Sequence, residues 1–405
     1  MNGPLFWRLA ARNVRRNLRR SLLTVAAIAF GLFCLILFQS LKAGLHHEMV
    51  ASTVQLDTGS FQIHAAGYRP NRMTLSPLPA LPELLRKLDR LGLVYAPRLK
   101  APALVIGPGG SASVLLSGVD PEREARLTII ASRLQSGSYL GGRDELLIGA
   151  ELATALGVGV GDELKLMVRS LLGSPAAKRF KVGGIFRTDL AGFNRGQLFL
   201  TLSATRALLR ADGLVSEIAV WVPSGEEQQQ IARLAAVLDS DRYRVDSWDR
   251  IAPDVSQLIE LNDGTMRLLV LIVFFIVALG ITNTMTMTVF ERYREFGILA
   301  ALGMRPAGIV RLVVAESLLL GLCGALVGGL AGWAGASWFA VHGLDLTALT
   351  SSNRYFATSH VLHALLRPGD FWLANLVTLL TGLLAGLYPA WKASRLHPVE
   401  ALRQN

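Results

Sequence analysis

Charge is scarce in this chain: only 18% of its 405 residues are Asp, Glu, Lys or Arg, against about 25% in soluble domains. With 51% of residues drawn from AVILMFWYC and a mean hydropathy of +0.40, an ordinary soluble protein is excluded. Cysteine is nearly absent. Both copies, Cys34 and Cys323, fall inside apolar runs, where they are expected as small apolar filler and say nothing of a disulfide elsewhere. No G-x-x-x-x-G-K-[ST] occurs, and Gly157, Gly159 and Gly161 lack both its spacing and its lysine, so the chain is not expected to hydrolyse ATP by itself. His47-Glu48 starts like a zinc-binding H-E-x-x-H, but Ala51 stands where the second histidine belongs, and no metal is expected. G-x-S-x-G is also missing. No catalytic residue and no cofactor follow from the sequence.

Long charge-free runs are what it has. Ser21–Leu41, Leu268–Phe290, Ser317–Val341 and Phe371–Trp391 span 21, 23, 25 and 21 residues, each enough for the ~20 residues that cross hydrocarbon. Four transmembrane helices are expected. The first is too long for the core of a cleavable signal peptide, and no A-x-A-like site follows it. The net charge of +11 is concentrated in residues 1–20 (six Arg, no acid), 291–311 and 392–405, beside the spans. The positive-inside bias therefore puts both termini and the 291–311 loop in the cytoplasm. Arginines that abut a span, without aromatics interleaved on a sheet, do not argue for nucleic acid.

The chain thus divides into a basic amphipathic cytoplasmic helix (1–20), a first span (21–44), an exported domain with stalk helices (45–264), a second span (265–290), a cytoplasmic loop (291–308), a third span (309–341), an outer loop (342–370), a fourth span (371–391) and a cytoplasmic tail (392–405). In the first segment Arg8, Arg12, Arg15 and Arg19 recur beside an apolar row of Trp7, Ala11, Val14 and Leu18. That pattern fits an interfacial helix on anionic lipid, and equally arginines that only set topology. The exported segment alternates β-rich runs (60–64, 103–106, 114–116, 163–168, 180–185, 197–201, 217–222) with helical ones (81–91, 151–156, 225–238), giving an α+β domain. Residues 42–55 and 250–265 are expected to continue the first two spans outward, with Ser247 as N-cap of the second stalk.

Glu316 is the one ionisable group placed well inside a span. Two readings stand: a bond to a neighbouring helix or the interface, and a proton or substrate relay. Gly324, Gly328, Gly332 and Ala336 recur every fourth residue in the third span, as do Gly382 and Gly386 in the fourth, so close helix packing is expected. Four spans alone make a poor conduit, which implies a second membrane subunit, although the same small-residue faces could pack within one chain.

The segment Phe290–Met304 (FERYREFGILAALGM) resembles the loop after the second span of FtsX-like ABC transporter permeases, the group that includes macrolide-exporter and lipoprotein-releasing permeases. A second match runs from Gly386 to Arg395 and on to Pro398–Arg403, and a third is the Arg-rich start feeding Leu22–Gly31. The resemblance implies a coupling helix that docks on a separate cytoplasmic ATPase dimer, which alone binds ATP. By motif position, Glu291, Arg292, Glu295, Gly297, Ala301 and Gly303 would form or shape that contact. It also implies the bacterial inner membrane, a periplasmic exported domain, a second permease subunit (a paralogue or a second copy), and mechanotransmission in place of covalent chemistry. Gly59–Tyr68, Leu147–Ala153 and Asp246–Trp248 look like lipoprotein-releasing permeases. The Arg169–Arg179 connection is too short for the hook by which one subunit of that branch recruits a periplasmic lipoprotein carrier. Lipoprotein release is the leading reading. A macrolide, peptide or siderophore exporter with an adaptor and outer-membrane duct is the alternative, and an FtsX-like regulator of a cell-wall hydrolase, which transports nothing, is another.

Overall fold

A computed structural model describes residues 3–16, 18–68, 76–142, 144–171, 173–345 and 361–394. They form two compact units: residues 3–46, 260–345 and 361–394 in one, 47–259 in the other. The chain starts with α1 (Gly3–Arg16) and α2 (Leu18–Thr53), which ends in a π-helical turn at Val54–Thr58. There follow β1 (Phe61–Ala65), α3 (Leu81–Arg90), β2 (Val94–Gly107), β3 (Gly110–Val119), α4 (Pro121–Leu127), β4 (Leu134–Gly137), β5 (Glu145–Gly149), α5 (Ala150–Leu156), β6 (Glu163–Arg169), β7 (Pro175–Phe186), α6 (Ala191–Gly196), β8 (Gln197–Thr201), α7 (Leu202–Leu209), β9 (Glu217–Trp221), α8 (Glu227–Val237), β10 (Tyr243–Ser247) and α9 (Trp248–Ile251). The last part holds α10 (Pro253–Glu291), α11 (Tyr293–Ala301), α12 (Pro306–His342), a ribbon of β11 (Leu344–Asp345) and β12 (Val361–Leu362), and α13 (Pro368–Ser394).

Among the described residues four helices, α2, α10, α12 and α13, are long and apolar enough to cross a membrane. The first three run for 36, 39 and 37 residues, well past the ~20 that hydrocarbon requires. Leucine and alanine favour the helix, and in lipid the helix satisfies every backbone group internally. The glycines fix how these helices meet. A Cβ at Gly324 would stand 2.6 Å from Ile28, at Gly328 2.5 Å from the Ala29 carbonyl, and at Gly332 2.9 Å from Ile36, so α12 lies backbone to backbone on α2. Ala336 is fully buried one turn further on. Gly386 abuts the Ser317 side chain, and Gly382 faces Gly321, which closes α13 onto α12. Both small-residue rows are therefore filled inside this chain. Pro389 sits within α13 and cannot donate to the Ala385 carbonyl one turn back; the Thr282 hydroxyl of α10 donates to that oxygen instead, at 3.2 Å.

The other unit is built on a ten-stranded sheet of order β10-β1-β9-β2-β3-β8-β5-β7-β4, with β6 pairing β2 and β7. It is antiparallel apart from β3–β8 and β5–β7. One apolar core gathers Leu99, Val105, Leu116, Leu146, Leu166 and Phe180 under α5 and α7; another gathers Phe61, Ile63, Leu84, Tyr95, Val220 and Leu234 under α3 and α8. A charged cluster is sealed within this unit. Arg98 bonds Glu124 through both Nε (2.9 Å) and Nη2 (2.7 Å), while Lys100 reaches Asp57 at 2.7 Å and Glu217 at 3.1 Å. Arg98 also donates to the Asp57 carbonyl, so β2 grips the π-helical turn that ends α2.

Each of the seven β-rich runs read from the sequence falls on β1, β2, β3, β6, β7, β8 or β9, with Ser60 and Val222 just beyond strand ends. Strands β4, β5 and β10 were not legible. Ser247 is a correction: it stands at the N-terminus of α9, not of the second stalk, and its hydroxyl turns to the Asp249 carboxylate without capping a backbone N–H. The long helix α10 begins later, at Pro253. The tail motif from Arg395 onward and most of the 342–370 loop lie outside the described residues.

Candidate functional site

Arg292 occupies the single residue between α10 and α11, and its side chain is only 6% exposed. Its Nη1 donates to both oxygens of Glu316 on α12, at 2.8 and 3.0 Å, and Glu316 is 5% exposed. Asn13 of α1 donates to the same carboxylate at 2.6 Å. On its other side Arg292 Nε bonds Glu295 at 2.9 Å, and Glu295 lies 2.5 Å from Arg16 Nη2. A fork of two bonds, 2.6 and 2.8 Å, ties Arg20 to Glu291. The Arg292 guanidinium also lies 5.0 Å from the ring centre of the buried Phe296. The result is a continuous line of charge, Asn13–Glu316–Arg292–Glu295–Arg16, that ties α11 to α1 and α12.

Energetically, the line is sound only as a whole. A buried charge is costly unless it is paired and hydrogen-bonded, and here each has a partner. Burial works against the charge on Glu295, but hydrogen bonds and charge from Arg292 and Arg16 outweigh it and hold its pKa below the ordinary carboxylate range. Burial likewise opposes the Arg292 charge, and Glu316 reverses the balance to push its pKa up. A cavity of about 20 Å³ touches Asn13, Thr284, Thr288, Arg292 and Glu316, room for one water among polar partners.

The outer side of the same segment is different. Arg294, Ile298, Ala301, Leu302 and Arg305 are exposed, Ile298 by 46% and Leu302 by 80%. Residues 294, 298 and 301 fall on one helical face, and Leu302 extends it by a turn. Gly303 at φ +87° ends the helix, in a conformation that glycine adopts without strain. Of the six residues expected at a partner contact, Glu291, Ala301 and Gly303 are exposed and Glu295 is half-buried. Arg292 and Gly297 are buried, so they can shape the segment but not touch a partner from it. Arg294, Ile298, Leu302 and Arg305 were missed, although their three- and four-residue spacing was the available signal. Asn13, Arg16 and Arg20 gave none, because their partners lie about 270 to 300 residues away and periodicity reports only local neighbours.

The glycines expected for packing and Glu316 come together around α12. Of the two readings of Glu316, the geometry displays the bond to neighbouring helices.

Comparison with known proteins places these features. A family model described as "FtsX-like permease C-terminal" matches residues 267–398, and one described as "MacB-like periplasmic core domain" matches residues 21–236, more than half of the chain. The lipoprotein-releasing system transmembrane protein LolC of Xylella fastidiosa is 27% identical over 322 residues, 76% of this chain and 77% of that one. LolC of Neisseria meningitidis is 25% identical over 400 residues, 95% and 94% of the two chains. The macrolide export ATP-binding/permease protein MacB of Rhodospirillum rubrum is 25% identical over 413 residues, covering 98% of this chain and 59% of MacB. The chain therefore belongs to the FtsX-like ABC transporter permeases, a membrane permease with an extracytoplasmic domain of the MacB core type.

Proposed function

We propose that this chain is the permease subunit of a mechanotransmission-type ABC transporter of the inner membrane, driven by a separate cytoplasmic ATPase dimer and working beside a second permease subunit. Both termini and α11 face the cytoplasm, and the sheet unit faces the periplasm. The observation that carries this reading is the two-sided build of α11: an exposed face of Arg294, Ile298, Ala301 and Leu302 over a buried anchor, Arg292–Glu316. A partner that pushes on such a face moves α12 and α1 with it, because breaking the buried pair costs more than carrying its elements along. Conformational work then reaches the periplasm through helices that outlast the bilayer. The second permease would meet faces other than the glycine rows, which α2 and α13 already fill.

Lipoprotein extraction is the cargo reading. It is supported by LolC relatives that match most of the chain's length and by a β6–β7 connection of residues 170–174 that leaves no long hook. The likeness to MacB supports export of a macrolide, peptide or siderophore as the alternative. The test of the shared core is co-purification of the partner ATPase with the full-length permease. I298D/L302D places two carboxylates on the exposed face and is expected to abolish capture while membrane insertion persists; undiminished capture would remove the docking role of this face. Release of an acylated protein from proteoliposomes, with a soluble peptide exporting poorly, separates the two cargoes.

A further inference from the structure

Four arginines and lysines close to the inner rim of the spans have carboxylate or ring partners, but one row has none. Arg16, Arg20 and Arg292 are paired with Glu295, Glu291 and Glu316, and Lys392 lies over Phe290. Arg8, Arg12 and Arg15 on α1, and Arg19 in the first turn of α2, are exposed and have no ion pair among the described residues. On α1 the inner side is occupied: Ala10 is fully buried against Phe296 and Ile309, and Asn13 holds Glu316. The arginines are thus fixed outward by packing behind them.

Beside this basic row runs an apolar one. Trp7 is 47% exposed and Leu18 57%, Ala11 lies between them, and Leu22 and Leu23 continue the apolar surface onto the lipid-length part of α2. Between Arg19 and the coupling segment, an open cleft of about 430 Å³ is lined by Arg16, Leu18, Arg19, Arg20 and Glu291. Glu291 is already neutralised by the Arg20 fork, which leaves Arg19 as the uncompensated charge there. A nonpolar strip with unpaired guanidinium groups one residue along is what a phospholipid presents in reverse: acyl chains next to a phosphate. Guanidinium recognises phosphate in two-pronged fashion, and a helix of this kind lies at the headgroup boundary.

We propose that the outer face of α1 and the first turn of α2 bind anionic phospholipid of the cytoplasmic leaflet, with Arg8, Arg12, Arg15 and Arg19 as its headgroup contacts and Trp7, Ala11 and Leu18 beside the acyl chains. Because α1 is tied to α11 through Arg16–Glu295, bound lipid would steady the element that faces the ATPase. The proposal stands apart from the cargo.

The experiment uses the full chain, purified in detergent and equilibrated with equal amounts of phosphatidylglycerol and phosphatidylcholine, and reads the ratio of retained lipids by native mass spectrometry. Wild type is expected to be enriched in phosphatidylglycerol. The R8Q/R12Q variant, which leaves Arg15, Arg16, Arg19 and Arg20 to set orientation, is expected to lose affinity for the anionic lipid about fivefold per arginine. R8K/R12K is expected to keep most of the enrichment; a loss equal to that of R8Q/R12Q would mean that positive charge on this row does not hold the lipid and would overturn the proposal. Inorganic phosphate in excess over lipid should leave the enrichment in place, and displacement by it would mean a soluble-anion site. No enrichment in wild type would refute the proposal. So would R8Q/R12Q chains that retain the lipid but lose the ATPase, since the row would then dock protein.

Discussion

Replacing Arg292 by Met should expose how much the buried line of charge holds together. Met keeps an unbranched stem but removes both bonds to Glu316, the bond to Glu295 and the guanidinium over the Phe296 ring. Glu316 would keep only Asn13, at a side chain 5% exposed. Removing one partner of such a pair costs roughly 3–5 kcal/mol, most of it the penalty of the charge left behind. E316Q is the milder change, about 1–3 kcal/mol, because Gln still accepts from Asn13 and Arg292 retains Glu295. The double variant R292M/E316Q leaves no buried charge, so it should be more stable than R292M alone. A coupling energy of about 0.5–3 kcal/mol is expected from the cycle. The assay is thermal unfolding of the full-length protein in one detergent, followed by loss of the monodisperse species. Additive effects, with the double variant the least stable of the three, would refute the reasoning, since Arg292 and Glu316 would then not share one electrostatic site.

Two further outcomes follow. G328L should prevent α2 and α12 from closing, because a Cβ there already meets the Ala29 carbonyl at 2.5 Å; G280L, in a helix position with open space around it, should insert and assemble normally, and equal yields of the two would show that the close approach is not required. His64 is fully buried on β1, stacked on Tyr68, and burial holds its pKa below the ordinary histidine value despite nearby Glu217 and Asp246. The unfolded chain therefore takes up a proton first as pH falls below about 6.5, stability of the sheet unit declines from there by at most about 1.4 kcal/mol per pH unit, and H64F should flatten that dependence between pH 7 and 5; an unchanged slope would mean that other groups set it.

How much the sequence disclosed depended on the range of the interaction. The apolar runs announced the long helices because a membrane-crossing helix needs only its own residues to satisfy its backbone. Strands such as Glu163–Arg169 showed themselves by alternation. Strand β4 reads Leu-Gln-Ser-Gly and does not alternate, while β10, Tyr-Arg-Val-Asp-Ser, alternates over only four residues; pairing with β7 and β1 makes them strands. At the candidate site the motif carried the place but not the facing. Arg292 reads like a surface charge on the coupling segment, yet it is buried because Glu316 and Glu295 are there to receive it. Asn13 and Arg98 were likewise silent, since a buried polar side chain is recognised only by the partners the fold brings to it. Thr282 opposite Pro389 belongs to the same class.

The most direct test of the central claim is ATP turnover by the purified permease with and without its partner ATPase, in the same proteoliposomes. The chain alone is expected to show none. With the ATPase, hydrolysis should accompany release of an acylated protein, and R292M should uncouple the two, leaving turnover but lowering release, because the push on α11 is no longer carried to α12. Hydrolysis by the isolated chain with contamination excluded, or release that proceeds at the wild-type rate in R292M, would contradict a permease worked through this segment.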